Sequence, residues 1–364
     1  MKTVSRFQRA QLLAFVLAAH CAYAAPVITK ESGNLSQGGT ITITGTGFGA
    51  NAHPAPIYYS NFNSYPVGTQ SAQTGLKNLN GDPGALYAYV DNTRGLGGSK
   101  SLRQDYPLNK NGLFPEIGLT GLNTPEVYVS SWIYWERTAG SGSGTLPIFK
   151  LVRAESNDVY HGFPGFYDTI RPNSSGVVVA VDRGSIAATD VVTNDDTQNA
   201  EPNSGAWHKI SYYYQLSTPG VANGIFQSWV DGVLDANITN TMSLPAGTTA
   251  TINNVISPLD GMSNYGYSNS YSVWIDNFYV AATRARVELG DASTFSASKV
   301  RYIQPAITWS DGSISATVET NTFAPGTQVY LYVIDANGNV NSQGYPVTIS
   351  GSALPNAPVL NWVH

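Results

Sequence analysis

The residues best suited to chemistry are grouped near the middle of the chain. They combine cationic side chains with side chains that can transfer a proton, and they are Lys150, Arg153, Tyr160, His161, Tyr167 and Arg171. Tyr and His can move a proton to or from a reacting group, and Arg and Lys can neutralise a carboxylate. An unperturbed Tyr has a pKa of about 10, so proton transfer by Tyr requires burial beside a cation. Spacing alone leaves open whether Arg153 and His161 converge. Arg171 can equally pair with Asp168.

A second group of candidates is aromatic. Alternation over 127–135 predicts a strand with Trp132 and Tyr134 on one face and Ile133 and Trp135 on the other. One face should pack into a core and leave the other open. Sugars stack their C–H faces on such rings, although most aromatic side chains in a sandwich only pack and hydrogen-bond. The candidate carbohydrate contacts are Trp132, Tyr134, Tyr160, His161, Tyr167 and Arg171.

Other chemistries find little support in the sequence. The histidines beyond the first residues, which are His53, His161, His208 and His364, have no metal-ligand spacing. No Gly-x-Ser-x-Gly motif or phosphate-binding glycine loop occurs. For calcium, the stretch 335–339 is better explained as a hairpin turn, and the loop 194–197 is a slightly better candidate. We therefore expect no metal and no other cofactor, with calcium as the alternative.

The first 24 residues are predicted to be an export signal. Lys2, Arg6 and Arg9 precede a short apolar run, and 22–24 fits a small-x-small cleavage site. Cys21 is the only cysteine, so the mature chain would contain no disulfide. Without those three cations, 16 Lys and Arg face 24 Asp and Glu, a net charge of about −8. This balance argues against a nucleic-acid partner. It argues more weakly against an acidic polysaccharide, because a local basic cleft can override the overall charge. The expected location is periplasmic, extracellular or cell-surface, without a membrane span, and the oligomeric state stays open.

The elements that must position these residues are predicted to be β-strands. Only 12% of residues are charged, there are 22 Tyr and 36 Gly, and turn dipeptides recur between apolar runs. The segment 38–49, Gly-Gly-Thr-Ile-Thr-Ile-Thr-Gly-Thr-Gly-Phe-Gly, reads as the opening of an immunoglobulin-like sandwich. Its closing half begins with Trp309-Ser310-Asp311 and continues through strands near 313–318, 329–333 and 345–349. The split predicts that the residues between the halves are an insert.

These two stretches resemble IPT/TIG immunoglobulin-like domains, over about a quarter of the chain. The resemblance implies a spacer or interaction module and no chemistry. The expected organisation is a signal peptide at 1–24, the first half of the immunoglobulin-like domain at 25–56, the insert at 57–288, the second half at 289–351 and a tail at 352–364. We expect the strands near 58–62 and 272–280 to pair with each other.

The insert resembles concanavalin A-like lectin/glucanase domains. The local matches are 97–103, 207–212, the Trp-Val-Asp-Gly turn at 229–232 and Trp-Ile-Asp-Asn at 274–277. The fold predicted for the whole chain is therefore all-β, a concanavalin A-like jelly roll inserted into a split immunoglobulin-like sandwich. Glucanases of this family carry closely spaced carboxylates on one strand, and no such run occurs here.

The favoured hypothesis is carbohydrate binding, with recognition of a neutral or weakly charged glycan on the concave face of the jelly roll. The alternative is a polysaccharide lyase, because lyases of similar fold use Tyr or His with Arg or Lys. Its catalytic residues would come from Tyr160, His161, Tyr167, Arg153 and Arg171. A third hypothesis is a non-catalytic surface adhesin or structural component.

Overall fold

A computed structural model describes residues 24–79, 88–106, 116–139, 148–155, 166–173, 176–183, 205–244, 246–247, 249–258, 260–262 and 270–351. Within these ranges the chain forms β-strands and two short 3-10 helices, Ser71–Thr74 and Leu96–Gly98, and no α-helix. The all-β prediction is confirmed. In these same ranges, no helix is long and apolar enough to cross a membrane.

The strands are numbered along the chain. They are β1 Val27–Gly33, β2 Thr40–Thr46, β3 Tyr58–Ser60, β4 Lys77–Asn78, β5 Tyr89–Asp91, β6 Ser101–Tyr106, β7 Ile117–Thr124, β8 Glu126–Ala139, β9 Ile148–Glu155, β10 Phe166–Asn173, β11 Gly176–Arg183, β12 Trp207–Gln215, β13 Gly224–Val230, β14 Val233–Thr241, β15 Ile252–Ile256, β16 Asp260–Met262, β17 Ser270–Ala281, β18 Arg286–Gly290, β19 Arg301–Gln304, β20 Ala306–Ser310, β21 Ser313–Thr317, β22 Gln328–Ile334 and β23 Tyr345–Thr348.

A small sandwich is built from both ends of the described chain. Its two four-stranded sheets have the orders β1-β2-β21-β20 and β19-β18-β22-β23. Strand β2 pairs directly with β21, so the early and late segments share one sheet. The alternating residues of β2 enter a common core with the late strands, and its members include Ile41, Ile43, Phe48, Val287, Ile314, Val329 and Leu331. Strand β18, Arg286–Gly290, pairs with β19 and β22 in the second of these sheets.

The two sequence motifs of the small sandwich touch each other. The Trp309 indole N–H donates hydrogen bonds to the carbonyls of Phe48 and Gly49, each at 3.2 Å. The Asp311 carboxylate accepts a hydrogen bond of 2.9 Å from the Gly49 amide. Gly49 has φ of +71°, a left-handed conformation that suits glycine. The glycine-rich turn of the first half is therefore closed by the second half.

The inserted jelly roll consists of two larger antiparallel sheets. One sheet runs β11-β10-β9-β15-β7-β4, with β16 also paired to β9, and the other runs β14-β13-β12-β8-β17-β6-β5, with β3 also paired to β17. The pairing of β3 with β17 confirms that the first and last strands of the insert are neighbours. One face of each sheet faces the shared core, whose members include Val127, Ile133, Trp135, Ile210, Val255 and Ile275.

The small sandwich covers part of the other face of the eight-stranded sheet. Tyr128, Tyr213 and Tyr279 from that sheet pack in one apolar cluster with Ile303 of β19. Polar contacts join the two sandwiches beside this cluster. The Asn277 side-chain amide donates to Asn321 at 2.9 Å. The two sandwiches therefore meet through a contact surface that is both aromatic and polar.

Candidate functional site

The face of β8 that was predicted to carry carbohydrate contacts divides into a covered part and an open part. The predicted alternation is present, since Ile133 and Trp135 lie in the jelly-roll core. Trp132 lies on the other face, but it is only 6% exposed and packs against Tyr302 of the small sandwich, with ring centroids 5.4 Å apart. A buried indole cannot stack on a sugar. Trp132 is therefore removed from the candidate contacts, for a reason that lies outside its own strand.

Tyr134 belongs to the open part of this face. Its ring centroid lies 5.7 Å from that of Trp207 on β12 and 5.6 Å from that of Trp274 on β17. The three aromatic residues come from adjacent strands, because Tyr134 is the register partner of both Trp207 and Trp274. The Tyr134 hydroxyl is 3.1 Å from the Glu136 carboxylate. This row presents half-buried rings of Tyr134 and Trp207 beside a polar group, which is an arrangement that can hold a sugar face.

Two arginines flank the row. The Arg94 guanidinium carbon is 5.4 Å from the centre of the Tyr134 ring, and that of Arg103 is 4.9 Å from the centre of the Trp274 ring. Such distances are typical of cation–π contacts. Arg94 also forms an ion pair of 3.2 Å with Glu136. We refer to Tyr134, Trp207, Trp274, Arg94 and Arg103 as the aromatic–arginine cluster.

Two members of the cluster, Trp274 and Arg103, are each bound by a carboxylate. The buried Trp274 donates its indole N–H to Asp91 at 2.7 Å, which fixes the central ring. Arg103 pairs with Asp105 at 2.8 Å, and Asp105 also accepts a hydrogen bond of 2.8 Å from the Tyr89 hydroxyl. Burial, and then this hydrogen bond to an anion, raise the pKa of Tyr89 to about 12. Tyr89 therefore stays a neutral donor and is not suited to act as a base.

The second candidate surface is the outer face of the seven-stranded sheet. Arg153 on β9 is the register partner of Tyr167 on β10. The neighbouring Ala154 is fully buried in the jelly-roll core, so Arg153 and Tyr167 belong to the opposite face of the sheet. Asp182 on β11 is the next partner of Tyr167 in the same row. This register places Arg153 and Tyr167 opposite each other on adjacent strands, although the two residues are separated in the sequence.

The same face carries a second cation from β9. An irregularity in the β9–β10 register makes Lys150 the partner of Thr169, two positions after Tyr167 on the same strand. Asp260 on β16 is the other partner of Lys150. Because alternate residues of a strand share a face, Arg171 also belongs to the face of Tyr167. Tyr160 and His161 lie outside the described residues, as do the calcium candidates Asp195 and Asp196.

The other calcium candidate forms a turn. The Asp335 carboxylate accepts hydrogen bonds from the backbone amides of Asn337 and Asn339, at 2.9 and 2.8 Å. Gly338 has φ of +84°, as the turn requires. The carboxylate is thus occupied by its own loop. Across the part of the chain that the structure describes, no group of three or more His, Cys, Asp or Glu is placed to hold a metal ion.

Several residues of the candidate surfaces were not singled out from the sequence. Trp207 and Trp274 were noted only as parts of strand motifs, and Arg94 lies in a loop without a recognisable pattern. Arg103 alternates with buried residues along β6, which is a signal for an open face. The register between strands, which joins Arg103 to Trp274, has no local signal.

Comparison with known proteins finds similarity only among solved structures. No family model and no curated protein matches the sequence. Alginate lyase Aly36B is 12% identical with a TM-score of 0.47, over 63% of this chain and 98% of that chain. Cellulose induced protein Cip1 is 19% identical with a TM-score of 0.41, over 62% of this chain and 97% of its own. An endo-β-1,4-glucuronan lyase from the fungus Trichoderma reesei is 10% identical with a TM-score of 0.39, over 63% and 96% of the two chains.

Proposed function

We propose that this protein is an exported polysaccharide lyase that acts on an acidic, uronate-containing polysaccharide. The substrate would lie across the outer face of the seven-stranded sheet. The observation that carries the proposal is the register pairing of Arg153 with Tyr167, with Lys150 and Arg171 on the same face. This row combines the cation and the proton-transfer group that elimination requires.

The reaction would be a β-elimination within the uronate unit. A base removes the proton on C5, next to the carboxylate, and the electron pair forms a C4–C5 double bond. The glycosidic oxygen leaves from C4 with its bonding electrons and takes up a proton. The carbanion character at C5 is stabilised when a cation neutralises the carboxylate. We assign this neutralisation to Arg153 and the proton transfer to Tyr167, with Tyr160 and His161 as further candidates for the base.

Lys150 and Arg171 would bind the carboxylates of neighbouring sugar units. An acidic polymer repeats its charge along its length, so several cations in one row match it better than a single cation. The overall negative charge of the chain does not prevent this, because a local row of cations controls the potential close to the sheet. The small sandwich is proposed to be an IPT/TIG-like spacer that has no part in the reaction.

The test is an assay for the unsaturated uronyl end, followed by its ultraviolet absorbance, on alginate, polyglucuronate and pectate. We expect one of these polymers to be cleaved, and Tyr167→Phe and Arg153→Gln each to lower kcat at least 100-fold. The matched control is Tyr345→Phe, which changes a tyrosine of the small sandwich. Cleavage that persists in both variants would contradict the roles assigned to Tyr167 and Arg153. If none of the uronate polymers is cleaved, the proposed lyase activity is wrong.

The aromatic–arginine cluster favours a second candidate, glycan binding without cleavage. Its rings come from three adjacent strands and are flanked by Arg94 and Arg103. Electrophoresis through gels that contain single polysaccharides tests this function. Retardation without loss of polymer, abolished by Trp207→Ala, would support binding alone.

A further inference from the structure

A cavity of about 160 Å³ lies where the two sandwiches meet, and its walls are unusually rich in cations. Its lining includes Lys209 of the jelly roll and Arg301 of the small sandwich. Arg284, from the segment before β18, and Arg286, the first residue of β18, complete the set of cations, and Glu288 is the one carboxylate in the described wall. The cavity thus collects four positive charges around one negative charge.

The Glu288 carboxylate already forms ion pairs with three of the four cations. Its carboxylate is 2.6 Å from Nε of Arg286, 2.8 Å from Nε of Arg301 and 3.6 Å from Nζ of Lys209. Glu288 is 1% exposed, and Lys209 and Arg301 are also buried. One carboxylate cannot compensate three buried cations, because each cation loses its hydration on burial. The surplus of positive charge is therefore built into the cavity.

Arg284 adds an unpaired donor. Its Nη2 donates to Gln227 at 3.1 Å, but its buried Nε has no hydrogen-bond partner within the described part of the chain. Glu126, which interacts electrostatically with Arg284, already accepts a hydrogen bond from the Tyr213 hydroxyl. A buried N–H group without an acceptor is rare in folded proteins. An anion in the cavity would supply the acceptor.

The surrounding residues hold the guanidinium groups in place. Arg284 lies 4.5 Å from the ring centre of Tyr213, Arg286 lies 4.1 Å from that of Tyr128, and Arg301 lies 4.2 Å from that of Phe295. Gly232 and Gly338 leave room for the same groups. A Cβ atom at Gly232 would lie 2.5 Å from Arg301, and one at Gly338 would lie 2.5 Å from Arg284. The arginines are thus oriented by the fold before any ligand arrives, as a binding site requires.

We propose that this cavity is a binding site for a small oxyanion, which links the two sandwiches by bridging their cations. Carboxylate, sulfate and phosphate share the required chemistry, since each offers several acceptor oxygens to guanidinium groups. The ligand is either a free inorganic anion or the carboxylate of a uronic acid. A cavity of about 160 Å³ is large enough to hold one such group.

The test measures thermal unfolding of the whole protein with sodium phosphate, sodium glucuronate or sodium chloride at equal ionic strength. We expect a saturable rise of Tm with phosphate, glucuronate or both, and none with chloride. Arg284→Gln should weaken the apparent affinity at least tenfold. Lys299→Gln, which removes an exposed cation of the small sandwich, is the matched control and should leave the affinity unchanged.

The two ligands distinguish the source of the anion. Stabilisation by phosphate indicates a site for inorganic anions, and stabilisation by glucuronate alone indicates a site for a sugar carboxylate. Equilibrium dialysis of the wild-type protein with phosphate and with glucuronate decides the question if Arg284→Gln does not fold, and one bound anion per chain is expected. No bound anion, or the same affinity in Arg284→Gln as in the wild type, would overturn the proposal.

Discussion

Ile43 of β2 lies directly opposite Ile314 of β21, and neither side chain is exposed to solvent. The two residues belong to the same apolar core, although the whole jelly roll separates them in the chain. The pair therefore joins the early and late segments into one sandwich.

Truncation of this pair should destabilise the small sandwich through both segments. Ile43→Ala and Ile314→Ala are each expected to lower the free energy of unfolding by about 2–4 kcal/mol, because each leaves a cavity in the core. Since the two residues touch the same space, the double variant should differ from the sum by at least about 0.5 kcal/mol. Urea unfolding of the wild type, the two single variants and the double variant gives the four free energies of unfolding. Thr42→Ala, an exposed neighbour on β2, should change stability by less than about 1 kcal/mol. Exact additivity would contradict a shared core.

Removing the buried carboxylate of Glu288 should lower the free energy of unfolding more than removing a surface charge. Burial by itself would raise the pKa of Glu288, but Lys209, Arg286 and Arg301 lower it far below the ordinary 4.5. Glu288→Gln leaves these cations without their anion, and we expect a loss of about 3–5 kcal/mol in urea unfolding. In the wild type, this contribution is fully present above the ordinary pKa of a Glu and is lost as the pH falls below it. A stability profile of Glu288→Gln that falls as steeply as the wild type below pH 4.5 would contradict this assignment.

Lys209 should make stability increase toward alkaline pH. Burial, with opposition from Glu288 and reinforcement by Arg301 and Arg286, lowers the pKa of Lys209 from 10.5 to about 8. Between these two values the unfolded chain binds a proton that the folded chain has released, so raising the pH favours the folded state. Urea unfolding in chloride buffers between pH 8 and 10 measures this increase. Lys209→Met should flatten it, and an unchanged slope in that variant would assign the effect to another group.

The ion pair between Arg94 and Glu136 should matter for ligand binding and little for stability. Both side chains are substantially exposed, at 41% and 29%, and such pairs contribute about 0–1 kcal/mol. Arg94→Gln is therefore expected to shift the free energy of unfolding by less than about 1 kcal/mol. If the aromatic–arginine cluster binds an acidic glycan, the same change should weaken retardation in affinity gels several-fold. Unfolding curves and affinity gels on one preparation separate the two effects, and a loss of stability without a loss of binding would exclude a binding role.

The sequence predicted which residues share a face of a strand better than it predicted what covers that face. Alternation along β8 correctly assigned Ile133 and Trp135 to one face and Trp132 and Tyr134 to the other. It could not indicate that Tyr302 covers Trp132, because that contact joins different sandwiches.

Register was equally inaccessible from local patterns. The cations and tyrosines near residues 150–171 were recognised by type, but no local pattern predicted the pairing of Arg153 with Tyr167 or the irregularity that pairs Lys150 with Thr169. The cavity around Glu288 was not predicted at all. Its cations come from β12, β18, β19 and the segment before β18, and none of these strands has a pattern that predicts binding.

The pairing of β3 with β17 has a consequence for the order of folding. Joining Ile43 to Ile314 through an unfolded chain would close a loop of about 270 residues. When the jelly roll folds first, Tyr58 and Val280 are register partners on adjacent strands, and the remaining loop shrinks to about 47 residues. Loop-closure entropy then opposes the small sandwich by about 1.5 kcal/mol less. The insert thereby acts as a template that brings the ends of its host together.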